Sequence, residues 1–335
     1  MYATRLLFSS AVFVGIAPAI LCAQAPTIER LEPALDALIA SDARVEKLAE
    51  GFQWSEGPAW NVKGGYLLFS DVPANTIYKW KQGEGLSVYL RPAGYTGPNP
   101  PGRELGSNGL TFDRSGALVM ADHGNRQIAR LDTTKYTKTT LANRFEGKRL
   151  NSPNDVVFRA NGDAYFTDPP FGLWKLNADT AKELSFSGVY RVTPSGQITL
   201  LTKELGFPNG IAFSPDEKTL YVSNAAGDRP IWMAYDVQPD GSVARGRVLF
   251  DASAQVKAGR RGVPDGMRVD KLGNLFAAGP GGVYIISPQG RHLGTILTGM
   301  PTANCAFGDD GSMLYITANN QLLRVRVKTK GVGFP

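Results

Sequence analysis

Apolar and polar positions in this chain recur in blocks, six times over. Each block opens on a polar anchor, usually followed by Gly. An alternating apolar run comes next, then a turn, then a second apolar run. The first block runs from Glu56-Gly57-Pro58-Ala59-Trp60 to Tyr66-Leu67-Leu68-Phe69-Ser70-Asp71, and the second from Asn108-Gly109-Leu110 to Ala121-Asp122. The other four open on Asn154, Asn209, Asp265 and Asn304. Successive anchors are 52, 46, 55, 56 and 39 residues apart. Alternation over four to eight residues predicts strands, and a period of this size fits one four-stranded propeller blade with variable loops. The expected fold is therefore all-β, a six-bladed β-propeller.

Further strands are expected over 76–80, 127–131, 188–192, 231–236 and 283–287. The stretch 44–51 reads as a strand that completes the last blade and closes the ring, leaving no open sheet edge. Residues 27–42 place Leu31, Leu35 and Leu38 at helical spacing, which predicts a helical leader outside the ring. The first residues carry Arg5, an apolar run through Leu6–Leu21 and small residues up to Ala23. That is the pattern of a signal peptide. The expected organisation is thus a signal peptide over 1–23, a leader over 24–43 and a propeller over 44–335, exported to the periplasm or secreted.

Composition narrows the picture. A 43% hydrophobic fraction suits a packed core, and 38 Gly with 22 Pro suits many turns. The formal net charge of +6 is spread thinly, with Lys148-Arg149 and Arg260-Arg261 as its densest patches. A nucleic-acid partner would require a basic cluster on one face, so none is expected. Beyond the first 23 residues no apolar run is long enough to span a bilayer. Loss of those residues removes Cys22 and leaves Cys305 alone, so no intramolecular disulfide is expected.

In a propeller the first strand of every blade lines the central channel, so equivalent positions meet around the axis. Glu56, Asn108, Asn154, Asn209, Asp265 and Asn304 would form a ring of oxygen-bearing side chains, the donor type a hard divalent cation prefers. A single Asn-Gly is a common turn dipeptide; six oxygen-bearing anchors in six blocks point to a site. Fourteen or fifteen residues after the anchors stand Asp71, Asp122, Asp168, Asn224 and Gly279, expected at the same mouth. Asp168 opens a long loop and His123 follows Asp122, which makes both candidates for the pocket rim. The long insertions 91–107, 144–153, 169–187 and 251–264 are expected to rise over this mouth. No nucleophile elbow, H-E-x-x-H motif or P-loop is present.

Taken together, Ser55-Glu56-Gly57-Pro58, Asp122-His123-Gly124-Asn125-Arg126, Gly147-Lys148-Arg149-Leu150-Asn151-Ser152-Pro153-Asn154-Asp155, Tyr165-Phe166-Thr167-Asp168-Pro169-Pro170-Phe171-Gly172, Pro208-Asn209-Gly210 and Pro264-Asp265-Gly266 resemble the gluconolactonase/regucalcin family over about residues 44–328. The resemblance implies a calcium ion held by Glu56, Asn209 and Asp265, with Asn154 as a further ligand or a substrate contact; Mg2+, Mn2+ and Zn2+ are the alternative ions. The animal branch carries an arginine two residues before the third-blade asparagine, where this chain has Ser152. The expected reaction is hydrolysis of a small-molecule lactone, with Asp265 as general base or as nucleophile. Asn154, Asn108, Asp168 and His123 are the expected substrate contacts. An organophosphate or aryl ester hydrolase using the same ion, and a non-catalytic ligand-binding propeller, are the competing expectations.

Overall fold

The computed structural model describes residues 25–100 and 102–334. Among the described residues six antiparallel sheets form the blades, and a two-stranded hairpin, Arg144–Phe145 with Lys148–Arg149, stands apart from them. Blade one is Ser55–Asn61, Tyr66–Asp71, Thr76–Lys81 and Gly85–Leu90. Blade two is Ser107–Phe112, Leu118–Asp122, Gln127–Asp132 and Thr137–Ala142. Blade three is Val156–Phe158, Ala164–Asp168, Gly188–Val192 and Ile198–Thr202. Blade four is Pro208–Phe213, Thr219–Asn224, Ile231–Val237 and Val243–Asp251. Blade five is Met267–Val269, Leu275–Gly279, Gly282–Ile286 and His292–Leu297. Blade six takes Thr302–Gly308, Met313–Ala318 and Gln321–Arg326 from the end of the chain.

The fourth strand of blade six comes from the other end. Val45–Glu50 pairs antiparallel with Gln321–Arg326. The ring is thus closed by non-covalent strand pairing, which satisfies backbone groups that an open sheet would expose. Alternation along each strand then builds the seams between blades. In Tyr66–Asp71, Leu67 and Phe69 pack with Tyr315 and Leu322 of blade six, whereas Leu68 packs with Leu110 and Met120 of blade two. All three are fully buried, each stabilising the fold by about 1.5–3 kcal/mol.

The segment expected as a helical leader is built differently. Thr27–Arg30 is a strand that pairs antiparallel with His292–Leu297 and becomes a fifth strand of blade five. Only Pro33–Ala37 is helical, as a single 3-10 turn. Leu35, Leu38 and Ile39 are buried against blades five and six, whereas Leu31 is exposed. The physical reason is that a helix this short has little stability of its own. The outer edge of blade five, by contrast, offers unpaired backbone groups. Arg260 clamps this added strand through two hydrogen bonds to Glu29, at 2.6 and 3.0 Å. The signal-peptide reading of residues 1–23 lies outside the described residues. Among the described residues, no helix is long and apolar enough to cross a membrane.

Candidate metal centre at the hub

The inner strands are not regular where the anchors sit. Pairing with the second strand slips between Glu56 and Ala59, Ser107 and Leu110, Pro208 and Ile211, and Thr302 and Asn304. In blades three and five, regular pairing starts only at Val156 and Met267, two residues past Asn154 and Asp265. Irregularities of this kind re-aim side chains. Here they turn the anchors toward the axis.

The residue after the anchor explains the recurring glycine. A Cβ on Gly57 would lie 2.1 Å from the Asn108 carbonyl oxygen, and one on Gly266 would lie 1.9 Å from Asn304 Cγ. Glycine stands there because neighbouring inner strands touch at the hub, and at Gly57 also because the backbone takes a φ of +53°. Hydroxyls of the second strands complete the hub. Ser70 Oγ donates to Asn108 O (2.8 Å), Thr167 Oγ1 to Asn209 O (2.6 Å) and Ser223 Oγ to Asp265 O (2.9 Å). Each bond crosses from one blade to the next and fixes an anchor's backbone. Sequence reasoning missed these three, although a hydroxyl just before Asp71, Asp168 and Asn224 was a visible signal.

A cavity of about 420 Å³ opens at this hub, lined by Glu56, Asn108, Asn154, Asn209 and Asp265 together with Trp54, Arg103, Glu104 and Phe171 among others. Five of the six anchors therefore converge. The sixth, Asn304, acts from behind: its Nδ2 donates to Glu56 Oε2 at 3.2 Å. The same oxygen accepts the Gly57 amide at 2.6 Å. Burial pushes Glu56 up to about 7, with the charges of Asp155 and Glu104 adding to it. Burial, then Glu56 and Asp155, holds Asp265 well above the usual carboxylate range. Asp155 follows the third anchor and is itself raised by burial, with Arg268 at 3.8 Å opposing.

Two buried carboxylates facing each other are a like-charge pair that a cation would relieve. The free lone pairs agree. Asn108 Oδ1, Asn209 Oδ1 and Asp265 Oδ1 are buried and accept no hydrogen bond. Unsatisfied buried oxygens are uncommon and each calls for an explanation; three at one cavity are what a shared ligand would satisfy. The donor set of carboxylate and amide oxygens fits a hard divalent ion. Among the described residues no group of three or more His, Cys, Asp and Glu could hold a metal, so an ion here would depend on asparagine oxygens to complete its shell. A site rich in nitrogen or sulfur, as zinc prefers, is absent among them.

Two expected substrate contacts sit elsewhere. Asp168 is fully buried behind the cavity, and its oxygens accept the amides of Asn151 and Ser152, both at 2.8 Å. Asp71 does the same for Gln53 and Trp54, and Asn224 for Phe207. Asp71, Asp168 and Asn224 are thus staples on the segments entering the inner strands, because a short polar side chain at the end of a strand reaches those free amides first, whereas Asp122 accepts the Asn125 amide and Lys138 Nζ instead. His123 has no exposed side-chain surface; its Nδ1 lies 2.9 Å from Glu104 Oε2. It supports a cavity residue, Glu104, that sequence reasoning did not single out.

The architecture and site define a class: a closed six-bladed propeller with an oxygen-donor hub under a rim of loops. The family pattern described as SMP-30/Gluconolactonase/LRE-like region matches residues 54–320, and the chain belongs to that family. It is 42% identical over 309 residues to a gluconolactonase from Zymomonas mobilis, covering 91% of this chain and 87% of that protein. A solved gluconolactonase from Xanthomonas campestris superposes with a TM-score of 0.78 at 31% identity, covering 90% of this chain and 96% of that one. A structure described as a calcium-binding protein, regucalcin, from Agrobacterium tumefaciens shares the fold, with a TM-score of 0.68 at 19% identity over 88% and 97% of the two chains.

Proposed function

We propose that this chain is a lactonase that opens sugar lactones such as gluconolactone, with one divalent cation, Ca2+ in the first place, held by Glu56, Asn209, Asp265 and Asn154. The observation that carries this reading is the convergence of Glu56 and Asp265 with unpartnered asparagine oxygens in one cavity. The 42% identity to a gluconolactonase supports the substrate class. A bound cation would supply Lewis acidity toward an ester carbonyl and its developing negative charge.

The protein's own residues do the rest. Glu56 is locked by Gly57 and Asn304, so it is a fixed donor and not a mobile base. Asp265 has an oxygen with no partner, which makes it the residue to take a proton from water or to attack the carbonyl carbon itself. Asn108 and Asn154 face the cavity beside it and present amide groups to substrate oxygens. The volume of about 420 Å³ lies within the usual range for small-molecule sites and exceeds what a single six-membered sugar ring fills. The signal-peptide pattern at residues 1–23 supports an exported protein, which fractionation of cells expressing the full chain would check.

The test is acid release from glucono-δ-lactone in a pH-stat. Turnover is expected with Ca2+, is expected to fall to background with chelator and to return on adding Ca2+. Unchanged turnover in chelator would remove the cation from the scheme. Hydrolysis of aryl or organophosphate esters without lactone turnover would replace the substrate class.

A further inference from the structure

We infer that Glu104, held in place by His123, recognises the hydroxyl groups of a polyhydroxylated lactone at the cavity rim and so sets substrate selectivity. This deepens the lactonase reading and rests on it.

The loop after blade one carries Arg103 and Glu104 into the cavity wall. It is bound to the loop of blade three at two points: Arg103 N donates to Gly172 O at 2.9 Å, and Arg103 Nε donates to Phe171 O at 2.9 Å. A Cβ on Gly102 would lie 1.7 Å from Gly172 O, so the two backbones are in direct contact. Glu104 therefore sits on a braced seat.

Its carboxylate is anchored on one side only. Oε2 pairs with His123 Nδ1 at 2.9 Å, and Oε1 lies 3.8 Å from Arg103 Nε, beyond hydrogen-bond distance. A carboxylate only accepts hydrogen bonds, so Nδ1 is the donor. The His123 side chain is wholly buried, and its Nε2 has no partner among the described residues. A histidine placed this way has one polar contact, and that contact aims Glu104. The Glu104 side chain keeps 20% of its surface exposed. The rest of that wall includes Trp54, Phe171 and Val263, whose apolar surfaces suit the face of a ring but not its hydroxyls. Beside the Asn108 and Asn154 amides, Glu104 adds a charged acceptor for them and Arg103 a charged donor. Recognition of this type discriminates strongly, because an analogue lacking the hydroxyl leaves the charged group unpaired.

The experiment compares glucono-δ-lactone with δ-valerolactone, the same ring ester without hydroxyls. In Glu104→Ala the kcat/KM ratio of the first to the second is expected to fall about tenfold or more, mainly through KM for the hydroxylated lactone. His123→Leu should reproduce that fall. His123→Asn, whose amide can still donate to Glu104, should restore most of the ratio. Equal losses on both lactones, or a weakened Ca2+ affinity of Glu104→Ala by calorimetry, would overturn the assignment. Should the unaltered protein open neither lactone, the lactonase reading fails by itself. Hydroxyl recognition is then decided by calorimetry with 1,5-anhydroglucitol, a polyhydroxylated ring with no ester. Weaker binding to Glu104→Ala supports it, and equal binding, or none to either protein, refutes it.

Discussion

Replacing Asp265 by Asn is expected to stabilise the cation-free protein while abolishing its activity. In that state Glu56 and Asp265 are buried together, and Glu56 is raised from 4.5 to about 7. Holding such a group at neutral pH costs on the order of 3 kcal/mol, at about 1.4 kcal/mol per unit. Burial and the charges of Asp155 and Glu104 raise Glu56 and survive the substitution; what disappears is the Asp265 carboxylate, itself held well above the usual range by burial and then by the charge of Glu56. A gain of about 1 kcal/mol in chelator is therefore expected, a rise of a few degrees or less in melting temperature for a chain of this length. Calcium should reverse the order. At roughly 100-fold excess over its dissociation constant a ligand stabilises by about 2.7 kcal/mol, a gain open to the native protein and closed to a variant that lacks the Asp265 carboxylate. Thermal melts in chelator and in calcium, with pH-stat turnover alongside, measure all three effects. A variant that melts lower in chelator and still gains from calcium would refute the like-charge account of the hub.

Three further outcomes follow from the same geometry. Gly57→Ala should cost several kcal/mol in urea unfolding and destroy cation binding, since its Cβ would strike the Asn108 carbonyl from a φ of +53°. Asp168→Ala should destabilise by about 2–5 kcal/mol, because the Asn151 and Ser152 amides lose their acceptor; near-native kcat in the folded fraction separates it from a substrate contact. Glu29 is held below its usual value mainly by Arg260. Its contribution is present above about 4.5 and lost as pH falls through the lower folded value. The stability gap between the native protein and Glu29→Gln, under about 1 kcal/mol for so exposed a pair, should therefore close toward pH 3.

Much of the ring was legible because it rests on period-two alternation repeated at blade length. Leu67, Leu68 and Phe69 read as a strand in isolation, and six such strands at near-regular intervals imply a wheel. The same regularity marked Glu56, Asn108, Asn154, Asn209 and Asp265 as neighbours, and the structure brings those five to one cavity. Residues 27–42 misled because Leu35 and Leu38 are buried as a helix face would be, yet by a blade edge that lies far away in sequence. Asp168 misled for a related reason: position at a strand end does not say whether a carboxylate looks into the channel or back at two amides.

What the chain determined by itself is therefore what depends on local periodicity: the repeated strands, the number of blades, and the oxygen-bearing residues that begin them. Only the closed ring decided the rest. Which glycines touch a neighbouring strand, which hydroxyl crosses to the next blade, and how Glu104 comes to lean on His123 depend on contacts between blades. Those contacts follow from packing in three dimensions, where a glycine and a backbone distant in sequence come so close that a Cβ added at Gly57 would lie 2.1 Å from the Asn108 carbonyl oxygen, and such approaches leave no periodic trace in the order of the amino acids.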